Sequence, residues 1–370
     1  MISRNMTIGV LFGGPSGEYR VSCNSAHTII SALKENGYAP FCIGVSKDGH
    51  WYGPVKPKDV ANFEPDNYSE HEIILPQYPG GTLYDARNGH AVVTLDVVFP
   101  IIHGPYGEDG HVQALLDMVR IPYVGAGMAG SVVGMDKVLM RDILRAHGIA
   151  QTDYVAVRRY DLDADQESVL DLLEKQLPYP MFVKPSCMGS SVGISKVNER
   201  AALLAGLKEA ARYDSKLMVE KGVNAREIET AILGNYAAEM AVPGEILTAG
   251  QFYDYDSKYI LDNSETRVPA EIDEQTAADL RRIAVKTYQA LDLSGFCRVD
   301  FFIDRDNGRI LLNEVNTLPG FTSISMYPKM WEASGKSLID IIECLIELAF
   351  ERHKDTMRNY VVLGGNADGK

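Results

Sequence analysis

The sequence predicts an α/β protein (α+β overall), with a parallel α/β unit at its start and a small α+β unit and further helices and strands after it. Two observations carry this prediction. Short apolar runs ending in glycines alternate with helical segments over roughly the first third of the chain, the pattern of strand–helix–strand units. At 370 residues the chain is also too long for one compact core, so more than one domain is expected.

The elements follow in order. Ile8 to Phe12 is an apolar run closed by Gly13-Gly14-Pro15, a buried strand and a tight turn. Ser22 to Asn36 reads as a helix with Ser22 as N-cap and Gly37 as its stop. Phe41 to Val45 is a second strand, and Lys47-Asp48-Gly49 and Asn88-Gly89 mark hairpin turns. Asp96 to Ile102 is a third buried strand, followed by a helix from Asp109 to Val119 for which Asp109 is the candidate cap. A helix from Met135 to His147 leads into strand Met181 to Lys184, helix Glu199 to Arg212, and strands Lys216 to Lys221 and Glu227 to Leu233, grouped as one small unit. Helix Glu274 to Ala290, strands Phe296 to Ile303 and Ile310 to Val315, and an amphipathic helix Leu338 to Glu351 complete the reading. The expected domains are residues 1–134, 135–233 and 234–354, with a tail at 355–370.

Composition narrows the function. Hydrophobic residues are 46% and charged residues 23%, which excludes general disorder. Lys plus Arg is 36 against 50 Asp plus Glu, a formal charge of −14, so nucleic acid and anionic membrane are repelled rather than bound. Any phosphate-bearing ligand must therefore meet a few local cations. Five scattered cysteines without a Cys-x-x-Cys pair read as reduced thiols, and with no signal-like or membrane-spanning run the expectation is a cytoplasmic protein.

Lys184-Pro185-Ser186-Cys187-Met188-Gly189-Ser190-Ser191-Val192-Gly193 follows a buried strand and packs glycines and hydroxyls into a turn. Such backbone approaches phosphate oxygens closely, and Lys184 adds a point cation. The spacing is neither a Walker A loop nor G-x-G-x-x-G, and taken alone this segment reads more readily as a flexible hairpin loop. Arg298-Val299-Asp300 and Glu314-Val315-Asn316 end two successive strands. At period two each pair shares a face, and adjacent strands would bring three oxygen-bearing side chains together. Oxygen ligands of this kind suit Mg²⁺, whereas a solvated face with Arg298 as salt-bridge partner is the plainer alternative. Phe252 to Tyr259 is a polar aromatic loop, either a surface hairpin or a lid. Glu220 and Glu227 stand near strand ends, where they accept ribose hydroxyls or simply face water. His103, at the end of a strand, is more often structural than catalytic.

Taken together these segments resemble the ATP-grasp superfamily, and within it the D-alanine–D-alanine ligases. The resemblance rests on Gly13-Gly14-Pro15-Ser16-Gly17-Glu18, His103-Gly104 with Gly107-Glu108-Asp109-Gly110, Met135-Asp136-Lys137, and Gly189-Ser190-Ser191-Val192-Gly193. Lys258-Tyr259, Arg298-x-Asp300 and Asn313-Glu314-Val315-Asn316-Thr317-Leu318-Pro319-Gly320-Phe321-Thr322 continue it in order across nearly the whole chain. It implies an N-terminal α/β domain followed by a two-lobed ATP-grasp fold. The implied reaction phosphorylates one D-alanine with ATP, and the amine of a second D-alanine then displaces phosphate.

By that resemblance Lys137 and Lys184 hold the α and β phosphates, and Lys258 reaches the transferred group. Glu220 and Glu227 bind the adenine or ribose side and Phe252 lies on the base, with Ser190, Ser191, Lys221, Val223, Asn313 and Glu314 also in the nucleotide site. Asp300, Glu314 and Asn316 carry two Mg²⁺ or Mn²⁺ ions. Glu18 takes the ammonium of the first D-alanine and His103 lies near its carboxylate. Arg298 and the Gly320 N–H form an oxyanion hole, Ser325 and Met326 meet the second D-alanine, and Ser190 and Tyr259 hydrogen-bond with Glu18 to close the lid. A homodimer is implied as well.

Tyr259 and the uncharged Met326 favour D-alanine as the second substrate over D-lactate or D-serine, the substrates of vancomycin-resistance relatives. Two departures stand out. Tyr19-Arg20 follows Glu18 where family members carry an acidic pair, which is expected to alter the charge around Glu18. Cys187-Met188 replaces more polar residues. A non-catalytic nucleotide-binding module would lack metal ligands, whereas Asp300, Glu314 and Asn316 are all present. A Rossmann dehydrogenase would need a fingerprint that Gly13 to Gly17 do not spell.

Overall fold

The computed structural model describes residues 2–247, 265–322 and 324–359, which form three sheets in chain order. The first sheet contains β1 (Ile8–Gly13), β2 (Phe41–Val45), β3 (Trp51–Tyr52), β4 (Glu72–Ile74), β5 (Thr82–Asp85), β6 (Ala91–Thr94) and β7 (Val97–Pro100). Its order is β6-β5-β4-β3-β2-β1-β7. Only β2, β1 and β7 run parallel, whereas β2 through β6 are antiparallel neighbours, so the sheet is mixed rather than parallel throughout. Its two hairpin turns explain the difference, because a parallel pair needs a long crossover.

Helix α1 (Tyr19–Glu35) makes that crossover from β1 to β2, and α2 (His111–Met118) follows β7. α1 begins at Tyr19, with Glu18 in the cap position, so Ser22 is not its N-cap. The Ser22 hydroxyl instead accepts from Gly13 N–H at 2.8 Å and donates to the Ile101 carbonyl at 2.6 Å, a buried tie between α1 and the strand ends. Asp109 is not the cap of α2 either. Gly110 holds that position at φ +93°, and Asp109 accepts from the N–H groups of Tyr106 and His111.

The helix read from Met135 is two helices, α3 (Met128–Met135) and α4 (Lys137–Ala146), divided at Asp136, whose ψ of 99° is extended. Next come β8 (Tyr154–Arg158), α5 (Arg159–Ala164), α6 (Gln166–Gln176), β9 (Met181–Pro185), β10 (Ser195–Val197), α7 (Arg200–Ala210) and β11 (Lys216–Lys221). The four strands form an antiparallel sheet, β10-β9-β11-β8, whose apolar residues share a core with Leu170, Leu173, Leu203 and Leu207 of the helices.

The third sheet holds β12 (Ala225–Leu233), β13 (Glu239–Met240), β14 (Gly244–Leu247), β15 (Glu265–Arg267), β16 (Phe296–Asp304) and β17 (Ile310–Asn316). Its order is β15-β14-β12-β16-β17, with β13 on β12. β12 therefore belongs to this sheet and not to the small unit with β11. Residues 222–224 carry the chain across, and no local pattern in the sequence reports a strand's partner. Helices α4 and α8 (Glu274–Ala290) bury Met140, Leu144, Leu280 and Ala284 with Ile228, Ile232 and Val299 of this sheet. Helices α9 (Met326–Ala333) and α10 (Leu338–Thr356) join another core, where Tyr327, Trp331, Ile342 and Leu345 meet Phe296 together with Phe12 and Phe99 of the first sheet. The first and third sheets thus share one apolar core. No helix among the described residues is long and apolar enough to cross a membrane.

Candidate active site

A cavity of about 240 Å³ opens where the start of α1, the glycine-rich loop after β9, the start of β16 and the end of β17 converge. Glu18, His103, Lys137, Ser190, Ser191, Arg298, Glu314, Asn316, Gly320, Ser325 and Met326 all line it.

Glu18 enters from the cap of α1, where its carboxylate accepts a short hydrogen bond from Ser190 Oγ in the loop. Arg20 turns away, pairing with Glu64 on an exposed surface. Successive helical residues face different directions, and Arg20 has its own carboxylate in Glu64. His103 is buried, with Nε2 2.9 Å from Ser25 Oγ and Nδ1 3.5 Å from Glu108. Ser25 also accepts from Phe321 N–H at 3.3 Å, tying His103 to the loop that carries Gly320. Ser25 is a polar residue in a helical run, and its partners are distant in sequence, so no motif marks it.

The glycine-rich loop is a chain of turns, with Ser190, Ser191 and Gly193 all at positive φ. It is fastened to the start of α4. Lys137 N–H bonds the Ser186 carbonyl at 3.0 Å, and Lys137 Nζ bonds the Met188 carbonyl at 2.8 Å. Asp136 holds the junction, accepting from Val138 N–H, Leu139 N–H and Ser186 Oγ, and pairing with Lys216. Burial works against the charge on Asp136, but Lys216, Ser186 and the Leu139 N–H outweigh it and keep its pKa below the ordinary value. Cys187 in the same loop is driven the other way: burial first, then Asp136 and Asp214, push its thiol up to about 12, so it stays protonated.

On the third sheet the register sets Glu229 of β12 opposite Asp300 of β16, and Asp300 opposite Glu314 of β17. Opposed residues share a face, so three carboxylates cross the sheet in one row, with Arg298 and Asn316 paired one step along. Arg298 donates to both oxygens of Asp300 at 2.7 Å and lies 3.1 Å from Glu229. Burial disfavours its charge, yet Asp300 and Glu229 more than compensate, and its pKa stays well above the usual value. Asn316 donates to Asp300 at 2.9 Å, and Lys137 Nζ stands 3.7 Å from Glu314. Glu229 lines the cavity, and the sequence reading missed it. Its strand could not be assigned to this sheet, although its two-residue spacing from Glu227 was available as a signal.

Among the described residues, the other proposed nucleotide and metal residues lie off this cavity lining. Lys184 is buried in an ion pair with Glu220, which also accepts from Arg141 at 2.8 Å and Thr152 at 2.9 Å. Burial opposes the Glu220 charge, and Lys184 and Arg141 overcome it, so its pKa is lowered. Lys221 is exposed, and Val223 and Glu227 are half-buried. Asn313 is the extra residue of a bulge in β17, and its buried Oδ1 has no hydrogen-bond partner among the described residues. Asp300 is buried beneath Arg298 and Asn316. Phe252, Lys258 and Tyr259 lie outside the described residues.

Glu314 and Asn316 on the cavity wall and Asp300 buried beside them bring carboxylate and amide oxygens together on neighbouring strands. That donor set fits a hard divalent ion that takes its remaining ligands from phosphate and water. Among the described residues no group of three His, Cys, Asp or Glu side chains is placed to hold a metal ion.

Two family models match the chain, described as D-ala D-ala ligase N-terminus over residues 7–126 and D-ala D-ala ligase C-terminus over residues 143–347. Similar curated relatives include the D-alanine–D-alanine ligase of Thermoanaerobacter sp. (strain X514), 44% identical over 359 residues, covering 95% of this chain and 99% of the relative. The D-alanine–D-alanine ligase of Natranaerobius thermophilus is 41% identical over 357 residues, covering 96% and 98%. Among solved structures, the D-alanine-D-alanine ligase from Coxiella burnetii superposes with a TM-score of 0.84 at 35% identity, over 96% of this chain and 97% of that one. The VanG D-Ala:D-Ser ligase from Enterococcus faecalis gives 0.82 at 33% identity, over 93% and 99%.

Proposed function

The chain belongs to the D-alanine–D-alanine ligase family, and on that premise we propose how its cavity joins two D-alanines into D-alanyl-D-alanine for peptidoglycan precursor synthesis. ATP phosphorylates the carboxylate of the first D-alanine. The amine of the second attacks the resulting acyl phosphate, and phosphate and ADP are the other products. The observation that carries the assignment of roles is the meeting, on one cavity, of Glu18, a serine- and glycine-rich loop, and the row of carboxylates flanking Arg298.

Glu18 receives the ammonium of the first D-alanine, and His103 lies beside its carboxylate. Arg298 and the Gly320 N–H face the oxygen that gains charge when the amine attacks. Lys137 and Lys184 hold the α and β phosphates, and Lys258 reaches the transferred group. Ser190, Ser191, Lys221, Val223 and Asn313 complete the nucleotide site, with Glu220 and Glu227 on the adenine and ribose side and Phe252 against the base. Asp300, Glu314 and Asn316 would hold Mg²⁺ or Mn²⁺, two ions in all, whose charge offsets that of the phosphoryl group in transfer. The Ser190–Glu18 bond, with Tyr259, closes the loop over the site and keeps water from the acyl phosphate. Ser325 and Met326 meet the second D-alanine. The protein works as a cytoplasmic homodimer, a state that sedimentation at working concentration tests.

Likeness to a D-Ala:D-Ser ligase makes the second substrate the point to measure. Phosphate release is followed with ATP, Mg²⁺ and D-alanine, then with D-serine or D-lactate added, with products identified by mass. D-Ala–D-Ala is expected to dominate every mixture. A dominant mixed product would keep the fold and move the second-substrate assignment, and no product at all would overturn the ligase reading.

A further inference from the structure

The cavity is rich in acid. Glu18, Glu108, Glu229 and Glu314 all line it, which repels any ligand entering with a carboxylate. Among the described residues three lysine and arginine side chains line it in return: Lys137, Arg298 and Lys329. Arg298 is matched by Asp300 and Glu229. Lys137 is matched by Glu314 and by the Met188 carbonyl. Lys329 alone of the three has no ion-pair partner among the described residues.

Its position on α9 gives that charge a direction. Ser325 is the N-cap of α9 and Met326 its first residue, and both line the cavity. Lys329 stands three residues beyond Met326, on the same helix face. Lys329 is half-buried and lines the same cavity wall as Met326 and Ser325, at the end of α9 toward which helical side chains lean. The Ser325 hydroxyl is not spent on capping the helix and instead meets Thr322 Oγ1 at 2.8 Å. The first-turn N–H groups of α9 add positive potential at the same end.

We propose that Lys329 reads the carboxylate of the attacking amino acid, and so sets the preference for an α-amino acid over an uncharged amine at the second subsite. This rests on the reading above that Ser325 and Met326 face the second substrate. A carboxylate there completes the one unmatched cation of the described wall and is shielded from the glutamates across the cavity.

The test compares D-alanine with D-alaninamide as the attacking amine. The amide has no carboxylate to be phosphorylated, so it competes only as second substrate, and mass separates D-Ala–D-Ala from D-Ala–D-alaninamide. In the unmodified enzyme D-alanine is expected to be strongly preferred. Lys329→Met should shrink that preference on the order of 10- to 100-fold by raising KM for the second D-alanine, while KM for ATP and for the first D-alanine holds. Lys329→Arg should restore most of it, since a merely structural role would not discriminate between amine acceptors. An unchanged preference in a folded Lys329→Met enzyme overturns the proposal, as does an equal rise in every KM. If the unmodified enzyme ligates neither acceptor, the failure is of the ligase reading itself, and the proposal falls with it.

Discussion

Glu18 is held as much by what its neighbours lack as by what they offer. A Cβ on Gly104 would stand 2.6 Å from Glu18 Oε2, and one on Gly189 would stand 2.7 Å from it. Gly104 also sits at φ +76°, where any other residue is strained. Gly189→Ala is therefore expected to displace the carboxylate and raise KM for the first D-alanine about tenfold, with little change in KM for ATP, as measured by initial rates. Glu314→Gln should lower kcat by about 10²-fold or more while circular dichroism and Tm stay near those of the unmodified protein. Near-normal turnover in that folded variant would remove Glu314 from the proposed ion site. The charged groups of motifs were readable at this scale, because residues such as Arg298 and Asp300 sit at fixed two-residue spacing. Glu229, Ser25 and Lys329 were not, since each is an ordinary residue whose importance comes from what lies opposite it.

At the scale of elements, Asp136 joins α4, the glycine-rich loop and β11. It breaks α3 from α4, caps α4 through two N–H groups, and ties Ser186 and Lys216 to that cap. Asp136→Ala should cost about 1–2 kcal/mol in denaturant unfolding and raise KM for ATP, because Lys137 and the loop lose their common anchor. The pH dependence follows from the lowered pKa of Asp136. A carboxylate depressed on folding adds stability that is fully present above its unfolded value of about 4 and is lost as pH falls through its lower folded value. Acid titration of Tm should therefore be shallower below pH 4 in Asp136→Ala than in the unmodified chain. Helix starts were the least readable elements: Glu18 and Gly110 hold the cap positions of α1 and α2 without a side-chain cap hydrogen bond, and of these three helices only α4 starts on a capping carboxylate, that of Asp136.

For the whole molecule, the Arg141–Glu220–Lys184 cluster links bodies that the chain order keeps apart. Arg141 comes from α4, which shares a core with the third sheet, whereas Glu220 and Lys184 belong to the second. Arg141 is fully buried, so removing it leaves Glu220 short of a partner away from water. Arg141→Met should destabilise the fold by about 3–5 kcal/mol in chemical denaturation, and Arg141→Lys by less. The lowered pKa of Glu220 adds to the same acid-side loss of stability as Asp136.

Sequence alone identifies eight of the seventeen described strands, the longest helices, the residue types of the site and the family. Those rest on apolar periodicity and on short fixed spacings, which are local. Helix Glu274–Ala290 and strands Phe41–Val45 and Lys216–Lys221 were read to the residue for that reason. The tertiary structure alone decided that the first sheet is mixed, that β12 crosses to the third sheet, and that Arg20 turns away from Glu18. It also decided which cation of the cavity is matched and which is open. Strand pairing and charge neutralisation join residues far apart in the chain, and no window of sequence contains both partners.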